Sequence, residues 1–134
     1  MANNSILGNT FQILGNSMDL MLKRHQVISS NLANEQTPGY SAARLKFEDE
    51  LQSRISGSGR GPKATHPRHL PAGNSFSHVQ GRIERVADGS GIGDGNNVSR
   101  VEEMMKMSEN RIRYEAVTQI MKQRLAMIEY VLQK

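Results

Sequence analysis

The histidines of the central segment are the side chains best suited to chemistry in this 134-residue chain. His66 and His69 have the His-x-x-His spacing that can bind a transition metal, and His78 lies nearby in the sequence. A tetrahedral site needs further ligands, but the chain has no cysteine and no carboxylate close to these histidines. We therefore expect no metal site and no cofactor.

Motifs of enzymes and of nucleic-acid binding are also missing. Serine, histidine and aspartate are present, but no G-x-S-x-G, phosphate-binding loop or H-E-x-x-H pattern occurs. The isoelectric point is near 9.7, and the central cations are Arg60, Lys63, Arg68, Arg82 and Arg85. Only Phe76 offers an aromatic ring for base stacking among them. The sequence thus predicts a protein that is not an enzyme and binds no small-molecule substrate and no nucleic acid.

Glycine and proline divide the chain into three parts. Nine of the 12 glycines lie between Gly57 and Gly95, together with three of the four prolines. Such a composition predicts an extended or partly disordered segment. We expect an N-terminal heptad helix over 1–36, an extended arm and flexible middle over 37–97, and a C-terminal heptad helix over 98–134. Together they would form one mainly α-helical domain.

The N-terminal part carries a heptad pattern of apolar residues. The spacing alternates between four and three residues, which is typical of a coiled-coil seam. The positions are Leu7, Phe11, Leu14, Met18, Met21, His25, Ile28 and Leu32.

The C-terminal part repeats this pattern almost to its last residue. Ser99, with Glu102 three residues later, predicts a helix cap at its start, and Glu102–Lys106 and Glu109–Arg113 are stabilising i,i+4 pairs. The seam positions are Met104, Met107, Arg111, Tyr114, Thr118, Met121, Leu125, Ile128 and Leu132.

Two amphipathic helices need partners for their apolar faces. The two seams could close on each other as an antiparallel coiled coil within one chain, or they could pack against other subunits. Gly8 and Gly15 weaken the first helix, and Arg111 and Thr118 interrupt the second seam. We therefore expect an isolated chain of marginal stability that is stabilised by assembly.

A distinctive stretch, Ser-Asn-Leu-Ala-Asn-Glu-Gln-Thr-Pro-Gly-Tyr over 30–40, follows the first helix. Asparagine side chains can bond backbone groups where a helix ends, and Gly39 can adopt a positive φ in a turn after Pro38. These residues predict the change from a helix to an extended arm. The candidate motif comprises Asn31, Leu32, Ala33, Asn34, Thr37, Pro38, Gly39 and Tyr40.

This stretch resembles the N-terminal signature of the flagellar axial proteins, the rod and hook family. Their pattern reads S-N-(L/I)-A-N-x-x-T-P-G-Y, and the Phe-Glu-Asp-Glu-Leu sequence at 47–51 is similar to the F-E-x-x-L that follows it in short rod proteins. Residues 94–114 are similar to the beginning of the family's closing helix. The middle is too short for the outer domain of larger members, which favours one of the two short proximal rod proteins.

The resemblance implies a structural subunit of the bacterial flagellar basal-body rod, the helical drive shaft needed for motility. The implied partners are other rod and basal-body proteins, copies of the chain itself and the flagellar type III export apparatus. Export by that apparatus needs no cleaved signal peptide, and the sequence shows neither a signal-peptide pattern nor a long apolar run. A coiled-coil adaptor or an export chaperone is the alternative that the two seams also allow.

Overall fold

The computed structural model describes residues 3–55, 79–86 and 95–133. The elements in chain order are helix α1 (Asn3–Ala33), strand β1 (Ala43–Lys46), helix α2 (Glu48–Ile55), strand β2 (Arg82–Arg85) and helix α3 (Arg100–Leu132). The two long terminal helices contact each other, so the prediction of a mainly helical fold built on them is confirmed. His66, His69, His78 and Phe76 lie outside the described residues.

Helix α1 ends within the predicted motif. The amide of Asn34 donates from Nδ2 to the carbonyl oxygen of Ser30 at 2.8 Å, which satisfies one of the last carbonyls of the helix. The chain then turns, with the Tyr40 N–H donating to the Thr37 oxygen at 3.2 Å. Gly39 has φ of 72°, so the predicted positive φ is confirmed. This turn directs the chain into β1.

Helix α3 begins at the predicted cap. The Ser99 side chain accepts a hydrogen bond from the Glu102 backbone N–H, which confirms Ser99 as the N-cap residue. The predicted ion pairs on its surface are also formed, at 3.5 Å for Glu102–Lys106 and 2.5 Å for Glu109–Arg113. Such exposed pairs contribute about 0.3–0.5 kcal/mol each.

A two-stranded antiparallel sheet joins β1 to β2, with Ala43 opposite Arg85 and Lys46 opposite Arg82. The sheet packs on α1 through a small core of buried residues: Leu20, Leu45, Phe47 and Val79. Strand β1 lies within the segment 37–97 for which the sequence predicts an extended arm, and helix α2 lies in the same segment. Helix α2 and strand β2 are not predicted by the sequence pattern, because their apolar residues are few and their partners are distant in sequence.

Helix α1 is therefore packed on two sides. Leu20 is 1% exposed and contacts the sheet, whereas the Met21 backbone and Ile28 lie on the side of α3. Within the described parts of the chain, no helix combines the length and apolar character needed to cross a membrane.

Candidate assembly site

Asn31 is the first residue of the predicted motif and is fully buried. Its Nδ2 donates to the Ala43 carbonyl oxygen at 2.8 Å and to Oε2 of Glu103 at 2.9 Å. Its Oδ1 accepts the Ala43 N–H at 2.9 Å and the Tyr40 hydroxyl at 3.3 Å. All four hydrogen-bonding positions of this amide are thus used. One side chain joins the end of α1 to the arm and to α3.

The partner of Asn31 on α3 is a buried carboxylate. Glu103 is 2% exposed, and its second oxygen accepts a 2.6 Å hydrogen bond from Lys106 Nζ. A buried charge is tolerated when it is paired and hydrogen-bonded, and both conditions are met here. Glu103 therefore fixes the first turns of α3 against the motif.

A second polar contact lies two turns further along α3. Asn110 is 5% exposed, and its Nδ2 donates to the Met21 carbonyl oxygen at 2.9 Å. Its Oδ1 is buried and has no hydrogen-bond partner among the described residues. Polar contacts between helices favour one register over its neighbours, because a shifted register would leave these groups unpaired.

Two asparagines before α3 hold the turn of the motif and the arm. Asn96 Nδ2 lies 2.9 Å from the carbonyl oxygens of Asn34, Glu35 and Thr37, around the turn. Asn97 accepts the Ala42 N–H at 2.7 Å and donates to the Val86 oxygen at 2.7 Å. Asn97 therefore bridges the ends of the two strands, at one end of the sheet.

Arg24 ties the other end of the arm to α1. It donates to the Leu45 carbonyl oxygen at 2.9 Å, forms an ion pair with Glu48 at 2.6 Å and lies 4.3 Å from the centre of the Phe47 ring. Partial burial on its own raises the pKa of the Glu48 carboxyl. Hydrogen bonds from Arg24 and from backbone N–H groups outweigh it and lower that pKa.

An ion pair on the surface links the motif to the start of α3. Arg100 donates to both carboxylate oxygens of Glu35, with Nε at 2.6 Å from Oε2. The hydrogen bond and the positive charge of Arg100 lower the pKa of Glu35. The same pair raises the pKa of Arg100.

The other motif residues are more accessible than Asn31. Tyr40, Leu32 and Asn34 are half-buried, whereas Ala33, Thr37, Pro38 and Gly39 are exposed. The motif thus has a buried anchor and an exposed turn. Its role in contacts with other subunits stays a prediction.

The α1 seam residues lie on the partly covered side of the helix. Ile28 is buried, and Phe11, Leu14, Met18 and Met21 are half-buried. Leu7 lies in α1, but its side chain is outside the described part of the structure. Leu20 was not among the predicted residues, because a single heptad pattern describes only one packed face.

The α3 seam residues divide into two groups. Met107, Met121 and Ile128 are half-buried, and Tyr114 is 37% exposed. Met104, Leu125 and Leu132 are 56%, 54% and 79% exposed. The buried residues of α3 are Glu103 and Asn110. Each lies one residue before a predicted seam position, Met104 and Arg111 respectively.

A second stripe runs along the exposed side of α3. Its spacing, 4-3-4-4-3-4-4-3, repeats every 11 residues, close to the period of a straight helix. All nine positions are exposed and none is charged. This outer stripe consists of Val101, Met105, Ser108, Ile112, Ala116, Gln119, Gln123, Met127 and Tyr130.

No group of metal-binding side chains is found among the described residues. Glu103, Asn97 and Asn110 were not predicted as site residues, since charged or amide side chains on helices and loops are usually solvated. The one available signal was that all three lie within the stretch 94–114 that resembles the family's closing helix.

The relatives found by comparison with known proteins carry the same name. No family model matches the chain. It is 30% identical over 133 residues to "Flagellar basal body rod protein FlgB" of Bacillus subtilis, covering 96% of each chain. It is 32% identical over 104 residues to the protein of that name from Yersinia ruckeri, covering 74% of this chain and 75% of the relative. The Salmonella typhimurium protein of that name is 29% identical over 104 residues. The resemblance drawn from 30–40 is thereby confirmed, and the chain belongs to the FlgB family of flagellar basal body rod proteins.

Proposed function

We propose that this chain is a structural subunit of the bacterial flagellar basal-body rod and not an enzyme. The names of its relatives support this proposal, as do the motif residues that join α1, the arm and α3 in one unit. The subunit assembles with other rod proteins into the proximal part of the helical drive shaft that motility requires.

Within the chain, the terminal helices pair as an antiparallel coiled coil. Two hydrogen bonds support this arrangement: Asn31 contacts Glu103, and Met21 contacts Asn110. Residue numbers fall along α1 as they rise along α3 between these contacts. The half-buried Met107 and Met121 are the apolar positions of α3 in this pair.

The observation that carries the proposal is the outer stripe of α3. Val101, Ile112 and Tyr130 are 68%, 67% and 65% exposed along a helix whose other side is occupied by α1. A helix with apolar residues on two sides is suited to contacts with more than one neighbour. A repeated contact that does not close into a ring produces a helical tube.

The partners in this proposal are other rod and basal-body proteins, further copies of the chain and the flagellar type III export apparatus. The location is the periplasmic rod of the basal body, reached by export without a cleaved signal peptide. The motif at Asn31–Tyr40, the two seams and the outer stripe provide the contacts.

Complementation tests the proposal. In a strain from which this gene is deleted, the unmodified gene should restore swimming and complete basal bodies. Ile112→Glu places a charge in the outer stripe and should abolish swimming and leave basal bodies without a rod in electron micrographs. Because Ile112 is 67% exposed, its replacement should leave the circular dichroism spectrum of the purified chain unchanged.

Lys122→Glu is the matched control, since Lys122 is exposed on α3 outside the outer stripe. It should support normal swimming. Normal rods in the Ile112→Glu strain would overturn the role of the outer stripe, and complete rods in the deletion strain would overturn the proposed function.

A further inference from the structure

The two edges of the sheet differ: side chains of α1 bond the backbone along the β1 edge, whereas no described strand pairs with the β2 edge. On the β1 edge, Asn31 bonds both backbone groups of Ala43, and Arg24 bonds the Leu45 carbonyl oxygen. These contacts replace a neighbouring strand along β1. Among the described residues, no strand pairs with the other side of β2.

The register fixes which backbone groups of β2 point outward. The Val86 N–H donates to the Ala42 oxygen at 2.8 Å, so this pair bonds across the sheet. In an antiparallel ladder the bonding pairs alternate, so the backbone groups of Glu84 point toward β1 and those of Ile83 and Arg85 point away. Ala43, opposite Arg85, follows the same rule when it turns its groups to Asn31.

An apolar groove accompanies this outer edge. Ile83 is 62% exposed, and it lines a cavity of about 390 Å³ between α1 and β2 together with Val27 and Leu45. The polar side of the groove is formed by Lys23, Gln26 and Ser30 of α1. An exposed edge strand beside an apolar groove has the features of a site for strand addition.

The charges near this edge select the kind of segment that would fit. The one acid of the two strands, Glu84, forms ion pairs with Lys46 at 2.8 Å and with Arg82 at 3.8 Å, and the cations near this edge outnumber it. The cations are Lys23, Arg44, Lys46, Arg82 and Arg85. The chain's own segment 56–78 contains no aspartate or glutamate, so its charge does not match this edge.

We propose that the outer edge of β2 binds an extended segment of another protein in which acidic and apolar residues alternate. The segment adds as a third strand, bonding the outward backbone groups of Ile83 and Arg85. Its apolar side chains enter the groove beside Ile83, and its carboxylates lie on the opposite face of the sheet, near Arg82. This inference does not depend on the rod function.

Binding of a synthetic peptide to the full chain tests the proposal. The probe is a fluorescent six-residue peptide that alternates glutamate and valine, and the comparison peptide alternates lysine and valine. Fluorescence anisotropy should show saturable binding of the acidic peptide alone. The binding should weaken as the salt concentration rises, because exposed charges are screened.

Two variants test separately the strand pairing with the apolar contact at Ile83 and the charge of Arg82. Ile83→Pro removes an outward N–H and the apolar contact while leaving the inward groups of Glu84 in place, so binding should weaken at least about tenfold. Arg82→Glu reverses a charge whose side chain is 83% exposed and should weaken binding by a similar factor. Lys122→Glu makes the same charge change on α3 and should leave binding unchanged.

Circular dichroism of each variant shows whether the helices are retained, and the Arg82→Glu variant keeps the test independent of any effect of proline on the sheet. Failure of the acidic peptide to bind would overturn the proposal. Equal binding of both peptides, or unchanged binding by the Ile83→Pro and Arg82→Glu variants, would overturn it as well.

Discussion

Asn31 on α1 and Glu103 on α3 are joined by a buried 2.9 Å hydrogen bond from Nδ2 to Oε2, although 72 residues separate them in the chain. The same Asn31 amide bonds both backbone groups of Ala43, as a neighbouring strand would. One residue of the motif therefore fixes the arm and both long helices relative to one another. The motif thus has a structural role inside the subunit.

Replacing either member of this pair should destabilise the chain. Asn31→Leu leaves one oxygen of the buried Glu103 carboxylate and both backbone groups of Ala43 without their partner, and we expect a loss of about 3–5 kcal/mol in the free energy of unfolding. Glu103→Leu leaves one amide donor unpaired, and the expected loss is about 1–3 kcal/mol. Urea unfolding followed by circular dichroism measures both losses.

The double variant, Asn31→Leu with Glu103→Leu, should lose less than the sum of the two single losses, because both single losses include the same Asn31–Glu103 hydrogen bond. Asn34→Ala is the control, since its bond to Ser30 is exposed and should contribute about 1 kcal/mol or less. Additive losses in the double variant would contradict the coupling of Asn31 and Glu103.

Two glycines should respond to alanine in opposite directions. Gly39 has φ of 72° and open space around a built Cβ, so Gly39→Ala meets only backbone strain and should cost about 1–2 kcal/mol. Gly15 lies inside α1 with nothing within 4 Å of a Cβ, so Gly15→Ala should stabilise by about 0.5–1 kcal/mol. Thermal melting of the two variants gives both signs, and a loss of stability for Gly15→Ala would show that its site is less open.

Acid should weaken the contacts of the arm and of α3. The pKa values of Glu35 and Glu48 are lowered in the folded chain from an ordinary value near 4.5. Because a lowered folded pKa stabilises above the unfolded pKa, this contribution is complete at neutral pH. It is lost as the pH falls below about 4.5 and through the lower folded value.

The melting temperature between pH 7 and pH 3 measures this effect. The Glu48→Gln variant should melt below the unmodified chain at pH 7, and the difference should shrink as the pH falls. Glu50→Gln is the control, because Glu50 is an exposed neighbour on α2. A difference that stays constant over the whole range would exclude Glu48 as a source of the pH dependence.

The sequence predicted those features of the fold that depend on interactions between residues close together in the chain. The heptads of the terminal parts predicted two long helices, Ser99 predicted the cap of α3, and Gly39 predicted the turn. Each of these depends on residues within a few positions of one another. The alternation of Arg44, Leu45, Lys46 and Phe47, exposed and buried in turn, was the available signal for β1.

Long-range contacts were not predictable in the same way. Glu103 resembles any solvated carboxylate in the first turn of a helix until its distant partner is known. Strand β2 pairs with a strand about 40 residues earlier, and its four residues include a single apolar one, Ile83. Leu20 belongs to a second packed face of α1, whereas the heptad described only the first. These features depend on tertiary contacts that a periodic pattern does not contain.

The last prediction concerns which residues of α3 face α1. The sequence placed Met104 and Met107 on one seam, but Met107 is half-buried in the groove between the helices and Met104 is 56% exposed. Met107→Asp should therefore lose about 2–3 kcal/mol of stability through a buried charge and a lost apolar contact. Met104→Asp should change the stability by about 0.5 kcal/mol or less.

Urea unfolding of these two variants is a matched comparison, because the substitution and the helix are the same. The difference follows from Glu103 and Asn110, which occupy the positions that the heptad assigned to Met104 and Arg111. They bond Asn31 and Met21, so these polar residues, and not the exposed Met104, lie on the side of α3 that faces α1. A greater loss of stability from Met104→Asp than from Met107→Asp would support the seam as the sequence predicts it and would contradict this role of Glu103 and Asn110.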